Sequence, residues 1–81
     1  MPPLATVVAR NIRGERSRRL WKQADLAERL GWSQSSVSAV EIGQRAINLS
    51  ELPAICRALD VTMADLVRGA DEDDLRAMGL Q

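Results

Sequence analysis

The sequence contains no histidine, no phenylalanine and no tyrosine, and only one cysteine and two tryptophans. Without histidine, no imidazole is on hand to serve as acid or base near neutral pH, and a Cys/His zinc site lacks its ligands. A lone cysteine excludes a disulfide framework within the chain. With so few aromatics, the core has to be aliphatic, which suits small packed helices. No apolar run approaches the roughly 20 residues needed to span a bilayer, and the N-terminal residues lack a signal-peptide pattern. A cytoplasmic protein is therefore expected. There is no glycine-rich phosphate loop, and the single dense acidic run, residues 71–74, lies in a tail expected to be mobile. One mobile run rarely makes a catalytic metal cage, so neither an enzyme nor a bound metal or cofactor is expected.

What is present fits one small helical domain. The chain has 81 residues, of which 46% are hydrophobic. That composition supports a core, though a domain of this size buries little surface and is marginally stable. The overall charge is zero, but it is unevenly placed. Residues 1–45 hold eight basic and four acidic side chains, a net +4, and residues 46–81 hold three and seven, a net −4. Such asymmetry points to a polyanion-binding face, although scattered charges on solvated helix surfaces would look the same.

Five helices are expected, over residues 4–18, 23–30, 34–41, 49–59 and 63–68. In the first, Leu4, Val8 and Ile12 form one apolar stripe, and Arg10, Arg13 and Arg16 share a face. Gly14 weakens that helix. The second has Leu26, Ala27 and Leu30 inward and Gly31 as its stop. Lys22 is a poor cap, so local chemistry specifies this start weakly. The third is capped by Ser33, buries Val37 and Val40, and ends at Gly43. In the fourth, Leu52, Ile55, Cys56 and Leu59 face inward. Its start is contested. Asn48 with Glu51 resembles a capping box, but Pro53 would then fall too far into the helix. Ser50 as the cap, with Asn48 in the preceding loop, is the expectation. The fifth has Thr62 and Asp65 as a capping box and Gly69 as its stop. Residues 1–70 are read as the domain, and 71–81 as an acidic tail or a short extra helix.

The segment 23–41, QADLAERLGWSQSSVSAVE, carries the most information. Ala27 is small where two crossing helices approach closely. Gly31 follows in a short turn. Val37 and Val40 pack back on the preceding helix. This is the spacing of a helix-turn-helix, which holds its second helix proud enough to enter a major groove. An ordinary helical hairpin shares many of these offsets.

Beyond that segment, the chain resembles the lambda-repressor/Cro-like, or xenobiotic-response-element, helix-turn-helix domains. The resemblance runs collinearly from Val8 to Val67 through Arg16, Gln23, Leu26-Ala27, Gly31, Ser33, Glu41, Gly43, Leu59, Val61 and Leu66. Residues 34–40 are similar to recognition helices of lambdoid phage repressors. The resemblance implies an all-α, five-helix fold and a two-fold dimer on double-stranded DNA that controls transcription. Four departures stand out. Lys22 replaces a serine or threonine, Leu20 replaces a glycine in the turn after helix one, Glu15 occupies an apolar position, and Pro53 is unusual in helix four.

The resemblance places roles on particular residues. Gln34, Ser35, Ser38 and Ala39 are expected at base edges. The Gln34 amide suits adenine N6 and N7, the serines can donate or accept, and the Ala39 methyl suits a thymine methyl. The bland alternatives are a solvated helix start, a Gln34–Gln23 hydrogen bond, and small surface residues. Gln23, Lys22, Ser36, Arg45 and Asn48 are expected at phosphates, which position a protein without reading sequence. Arg16 and Glu41 are expected to pair and tie helix one to helix three. Trp21 and Trp32 are expected to close the core rather than stack on single strands, and Cys56 to be a structural thiol. Ile47, Leu49, Leu52, Val67 and the tail are candidates for a homodimer surface; the alternative is that all are core. An operator-binding repressor is the leading functional expectation. An antitoxin-like or adaptor protein, gripping a protein partner through the C-terminal half, is the alternative.

Overall fold

The computed structural model describes residues 2–81. Six α-helices follow one another: α1 (Leu4–Arg18), α2 (Gln23–Leu30), α3 (Gln34–Glu41), α4 (Leu52–Leu59), α5 (Met63–Leu66) and α6 (Glu72–Ala77). A 3-10 turn, Leu49–Glu51, precedes α4. None of these helices is long and apolar enough to cross a membrane. α1 to α3 have the bounds their periodicity predicts. α5 is one turn long, and the chain leaves the helix at residues 67–68, earlier than expected. α6 gives the tail a fold. Leu75 and Leu80 pack against the core.

The core is aliphatic, as the missing aromatics require. Val7, Val8 and Ile12 of α1 meet Leu26 and Ala27 of α2, Val37 and Val40 of α3, Ile55 and Leu59 of α4, and Leu66 and Val67 beyond. Trp21 and Trp32 are half-buried at its edge. Their outer faces carry arginines. The Arg29 guanidinium lies 3.8 Å from the Trp21 ring centre, and Arg45 lies 4.5 Å from that of Trp32. The rings therefore close the core and are not available as stacking platforms. Cys56 is half-buried, and burial, with the nearby Asp65 charge, pushes its thiol above the ordinary range. A raised thiol is a poor nucleophile.

The start of α4 departs from expectation. Asn48, not Ser50, is the cap. Its Oδ1 accepts from the Glu51 N–H at 3.0 Å, while Glu51 reaches back to the Asn48 N–H at 3.0 Å. The conflict with Pro53 disappears because the first turn is 3-10. The Leu49 carbonyl that a proline N–H would have served accepts from Leu52 instead. Pro53 then sits in the first turn of α4, where no intrahelical N–H is needed. Local chemistry also specifies the start of α2 better than the weak cap suggested. A lysine side chain offers no acceptor, but the Asp25 carboxylate accepts from the Lys22 N–H at 2.8 Å.

Helix ends share one device. After α1, α2, α3, α4 and α6 the chain enters the left-handed region at Leu20, Gly31, Gly43, Asp60 and Gly79. In each case the next N–H reaches back to a carbonyl of the last turn: Trp21 to Arg16, Trp32 to Ala27, Gln44 to Ala39, Val61 to Cys56 and Leu80 to Leu75. These are Schellman ends, which satisfy otherwise orphaned carbonyls. Leu20 keeps the left-handed turn of the glycine it replaces, at φ 60°, so the path between α1 and α2 is unchanged in kind.

α1 is anchored on both flanks by polar groups. Asn11 donates to the carbonyls of Leu66 and Arg68 at 2.7 and 2.9 Å, tying α1 to the end of α5. Glu15, at a position that is apolar in the domains the chain resembles, is only 4% exposed. It accepts from Arg19 Nη1 at 2.8 Å and pairs with Arg18, and Arg68 lies 3.5 Å away. The Arg19 hydrogen bond, reinforced by the Arg18 charge, holds its carboxyl below the usual carboxylate range despite burial.

Candidate nucleic-acid interface

α2 and α3 pack through Leu26, Ala27, Val37 and Val40, all buried. Gly31, at φ 70°, ends α2 and lets the chain turn within two residues into the cap of α3. Ser33 Oγ accepts from the Ser36 N–H at 3.1 Å and donates to Ser36 Oγ at 3.0 Å. Its oxygen also lies 3.1 Å from Ser35 Oγ. Because Val37 and Val40 take the inward side of α3, the opposite side is left to solvent. Gln34 and Ser35 are exposed there, and Ser38 and Ala39 are half-buried. The four expected base-edge residues thus share one outward strip, small, polar and uncharged apart from the longer Gln34. The Gln34 side chain makes no hydrogen bond among the described residues, so its amide is free and the Gln34–Gln23 bond is not made.

One feature of this strip escaped the sequence reading. Ile42, directly after α3, is 59% exposed and lies on the same face as Ser35, two turns on. The signal was available, since an apolar residue at this offset cannot face Val37 and Val40.

The orientation of α3 rests on an ion pair. Arg16 Nε donates to Glu41 Oε2 at 2.7 Å and Nη2 to Oε1 at 3.0 Å, a bidentate contact. Arg16 Nη1 also donates to the Trp21 carbonyl at 2.7 Å. Glu41 is buried, and its hydrogen bond pushes Arg16 above its ordinary value although burial works against the charge. Gln23, at the start of α2, donates from Nε2 to Glu41 Oε1 at 3.1 Å. Three segments, α1, α2 and α3, therefore meet at one carboxylate. The Gln23 amide, expected at a phosphate, is turned towards this pair, and part of the Arg16 fork remains open to a further acceptor.

The other expected phosphate contacts stand in different states. Lys22 is exposed and its ammonium makes no ion pair among the described residues. Ser36 is half-buried in the α3 cap. Asn48 uses Oδ1 as a cap for the 3-10 turn and leaves Nδ2 without a hydrogen bond among the described residues. Arg45 is paired with Glu51, through Nη2–Oε2 at 2.8 Å and Nη1–Oε1 at 3.2 Å, and stacks on Trp32. It is a neutralised, positioned group rather than a free cation. The sequence could not show this, because the partner is decided by how the 43–48 loop folds back.

The apolar residues considered for a dimer surface divide. Val67 is core, at 1% exposure, while Leu49 is 83% exposed. Ile47 and Leu52 are half-buried. With Leu4, Met63 and Met78 they line a groove of about 420 Å³.

A short turn, a capped second helix and an outward polar strip are the parts of a helix-turn-helix, and a model of the family described as Helix-turn-helix matches residues 12–66. The chain belongs to the helix-turn-helix family. As a helix-turn-helix protein of the lambda-repressor/Cro-like kind, it is a DNA-binding transcription regulator. It is similar to the crystal structure of the hypothetical transcription factor NHTF from Neisseria, with 33% identity and a TM-score of 0.77, over 94% of this chain and 86% of that one. It is also similar to the restriction-modification controller protein C.AhdI from Aeromonas hydrophila, with 29% identity and a TM-score of 0.71, over 76% of this chain and 94% of that one. The controller protein C.Esp1396I shares the fold at 23% identity and a TM-score of 0.72, over 82% and 86% of the two chains. Comparison with curated proteins finds no match.

Proposed function

We propose that the protein represses transcription by binding a pseudo-palindromic operator as a homodimer, with α3 in the major groove of each half-site. The observation that carries this reading is the exposed, uncharged strip of α3, held at a fixed angle by the buried Arg16–Glu41–Gln23 contact. Gln34, Ser35, Ser38 and Ala39 face the base edges. Lys22, Asn48 and the open donors of Arg16 face phosphates, joined by Gln23, Ser36 and Arg45 once they exchange an internal partner for a phosphate oxygen. The groove around Leu49 seats the second copy, which places half-site centres about one helical turn, 10–10.5 bp, apart or a multiple of it.

The test is a selection of bound duplexes from a random library, followed by affinity measurements on the selected and on random sequence. Gln34→Ala is expected to weaken the selected site by about 1–3 kcal/mol at one base position in each half-site and to leave random duplex unchanged. Equal losses on both sequences would overturn the role given to Gln34. If purified protein shifts no duplex until a second protein is added, the adaptor alternative replaces the operator-binding reading.

A further inference from the structure

A second cleft, of about 180 Å³, opens between α1 and the C-terminal end of α3. Thr6, Arg10 and Arg13 of α1 line it on one side and Glu41, Ile42 and Gly43 on the other. Glu41 is already held by Arg16 and Gln23. The arginines differ sharply in how they are occupied. Arg16, Arg18, Arg19, Arg45, Arg68 and Arg76 all sit in ion pairs. Arg10, Arg13, Arg29 and Arg57 are exposed and pair with no carboxylate among the described residues, and of these four only Arg10 and Arg13 line the cleft. Arg10 leans away, with Nη2 3.6 Å from where a Cβ on Gly69 would stand. Arg13 is left as the free cation of the cleft.

The cleft lies at the end of the base-facing strip. Ser35 on α3 and Ile42, the residue directly after it, are two turns apart, about 10 Å along the helix axis. The major groove is about 12 Å wide. A helix whose first turn reaches base edges therefore brings its other end to the wall of the groove, where a sugar-phosphate backbone runs. That end carries the negative pole of the helix dipole and repels phosphate unless cations offset it. Arg13, on the neighbouring helix, supplies that offset, and exposed Ile42 offers an apolar surface to deoxyribose.

We propose that this cleft seats one strand's sugar-phosphate backbone, with Arg13 contacting a phosphate and Ile42 packed against the adjoining sugar. The inference rests on the operator-binding reading and adds a contact track on α1 outside the helix-turn-helix segment. It predicts a sequence-independent effect, so the operator need not be known.

The experiment follows the salt dependence of binding of the intact protein to a mixed-sequence duplex by fluorescence anisotropy. Neutralising one phosphate contributes about 0.9 to the slope of log K against log salt. Arg13→Ala removes one phosphate contact from each protomer of the dimer and is expected to lower that slope by about two, and Arg13→Lys to keep it, because a point charge suffices at a phosphate. Arg57→Ala, which removes an exposed cation of α4, is expected to match the wild type. An unchanged slope for Arg13→Ala alongside a lowered slope for Lys22→Ala overturns this contact and leaves the operator-binding reading standing. A wild-type protein whose binding to duplex shows no salt dependence overturns both.

Discussion

Leu20→Gly is expected to make the protein more stable, although it deletes a large side chain. Leu20 sits at φ 60° and is 92% exposed. Its side chain adds almost nothing to packing. What the turn needs is backbone: the Leu20 N–H bonds the Ser17 carbonyl at 2.9 Å and the Trp21 N–H bonds the Arg16 carbonyl at 3.2 Å. An L-residue with a Cβ in this region is disfavoured by about 1–2 kcal/mol. Glycine removes that strain but has more freedom to lose on folding, which takes back roughly 0.5–1 kcal/mol. The net gain falls within about 0–1.5 kcal/mol, centred on about 0.75 kcal/mol. In a domain of this size each kcal/mol moves Tm by about 4–8 °C, so a rise of about 3–6 °C is expected at the centre of that range. Thermal and urea unfolding followed by circular dichroism would measure it. Leu20→Ala is the control, because it removes the exposed apolar surface and keeps the Cβ strain. It is expected to match the wild type. If Leu20→Gly is no more stable than Leu20→Ala, backbone strain is not what Leu20 costs.

Glu41→Ala strands the Arg16 guanidinium, whose side chain is 13% exposed, beside the core. Breaking a buried pair costs about 3–5 kcal/mol, and the nearby surface favours the lower end; an unfolding free energy within about 1 kcal/mol of wild type would show that the pair adds little to stability. Gly14 lies inside α1, and a Cβ there meets nothing within 4 Å. Gly14→Ala should therefore stabilise by roughly 0.5–1 kcal/mol, and a loss on urea denaturation would contradict the open space seen around it. The carboxyls of Glu15, Glu51 and Asp65 are all held below their ordinary values, by the Arg19 hydrogen bond, the Arg45 hydrogen bond and the Thr62 backbone hydrogen bond respectively. A group depressed on folding contributes its full stability above its unfolded pKa and loses it as pH falls through the folded one. Tm should thus be steady from neutrality to about pH 5 and fall below the ordinary carboxylate range of about pH 4. Glu15→Gln should flatten that fall, and an unaltered acid limb would remove Glu15 from the account.

Much of this molecule could be read before its structure was seen. α1 to α3 announce themselves by apolar spacing, Ser33 and Gly31 mark the turn between α2 and α3, and Thr62 with Asp65 marks α5. The 3-10 start of α4 was harder, because Asn48 and Pro53 make opposite demands on an α-helix and only a tighter turn satisfies both. Asn11 gives no local hint of its role, since the carbonyls it serves belong to Leu66 and Arg68. Glu15 reads as a broken apolar pattern until Arg18, Arg19 and Arg68 converge on it.

The sequence by itself determined which faces of the helices are apolar, where α1 to α4 stop, and that α3 presents a strip of small uncharged side chains with Gln34 at its head. These follow from periodicity and from capping chemistry, both of which act within a few residues. The tertiary structure alone decided which charges are spent and which are free. Arg45 and Arg13 look equally available in the chain, yet Arg45 is neutralised by Glu51 and Arg13 is not. Charge pairing depends on distances of a few ångströms, and the path of the loop that brings Arg45 to Glu51, like the packing that brings Arg16 to Glu41, sets those distances.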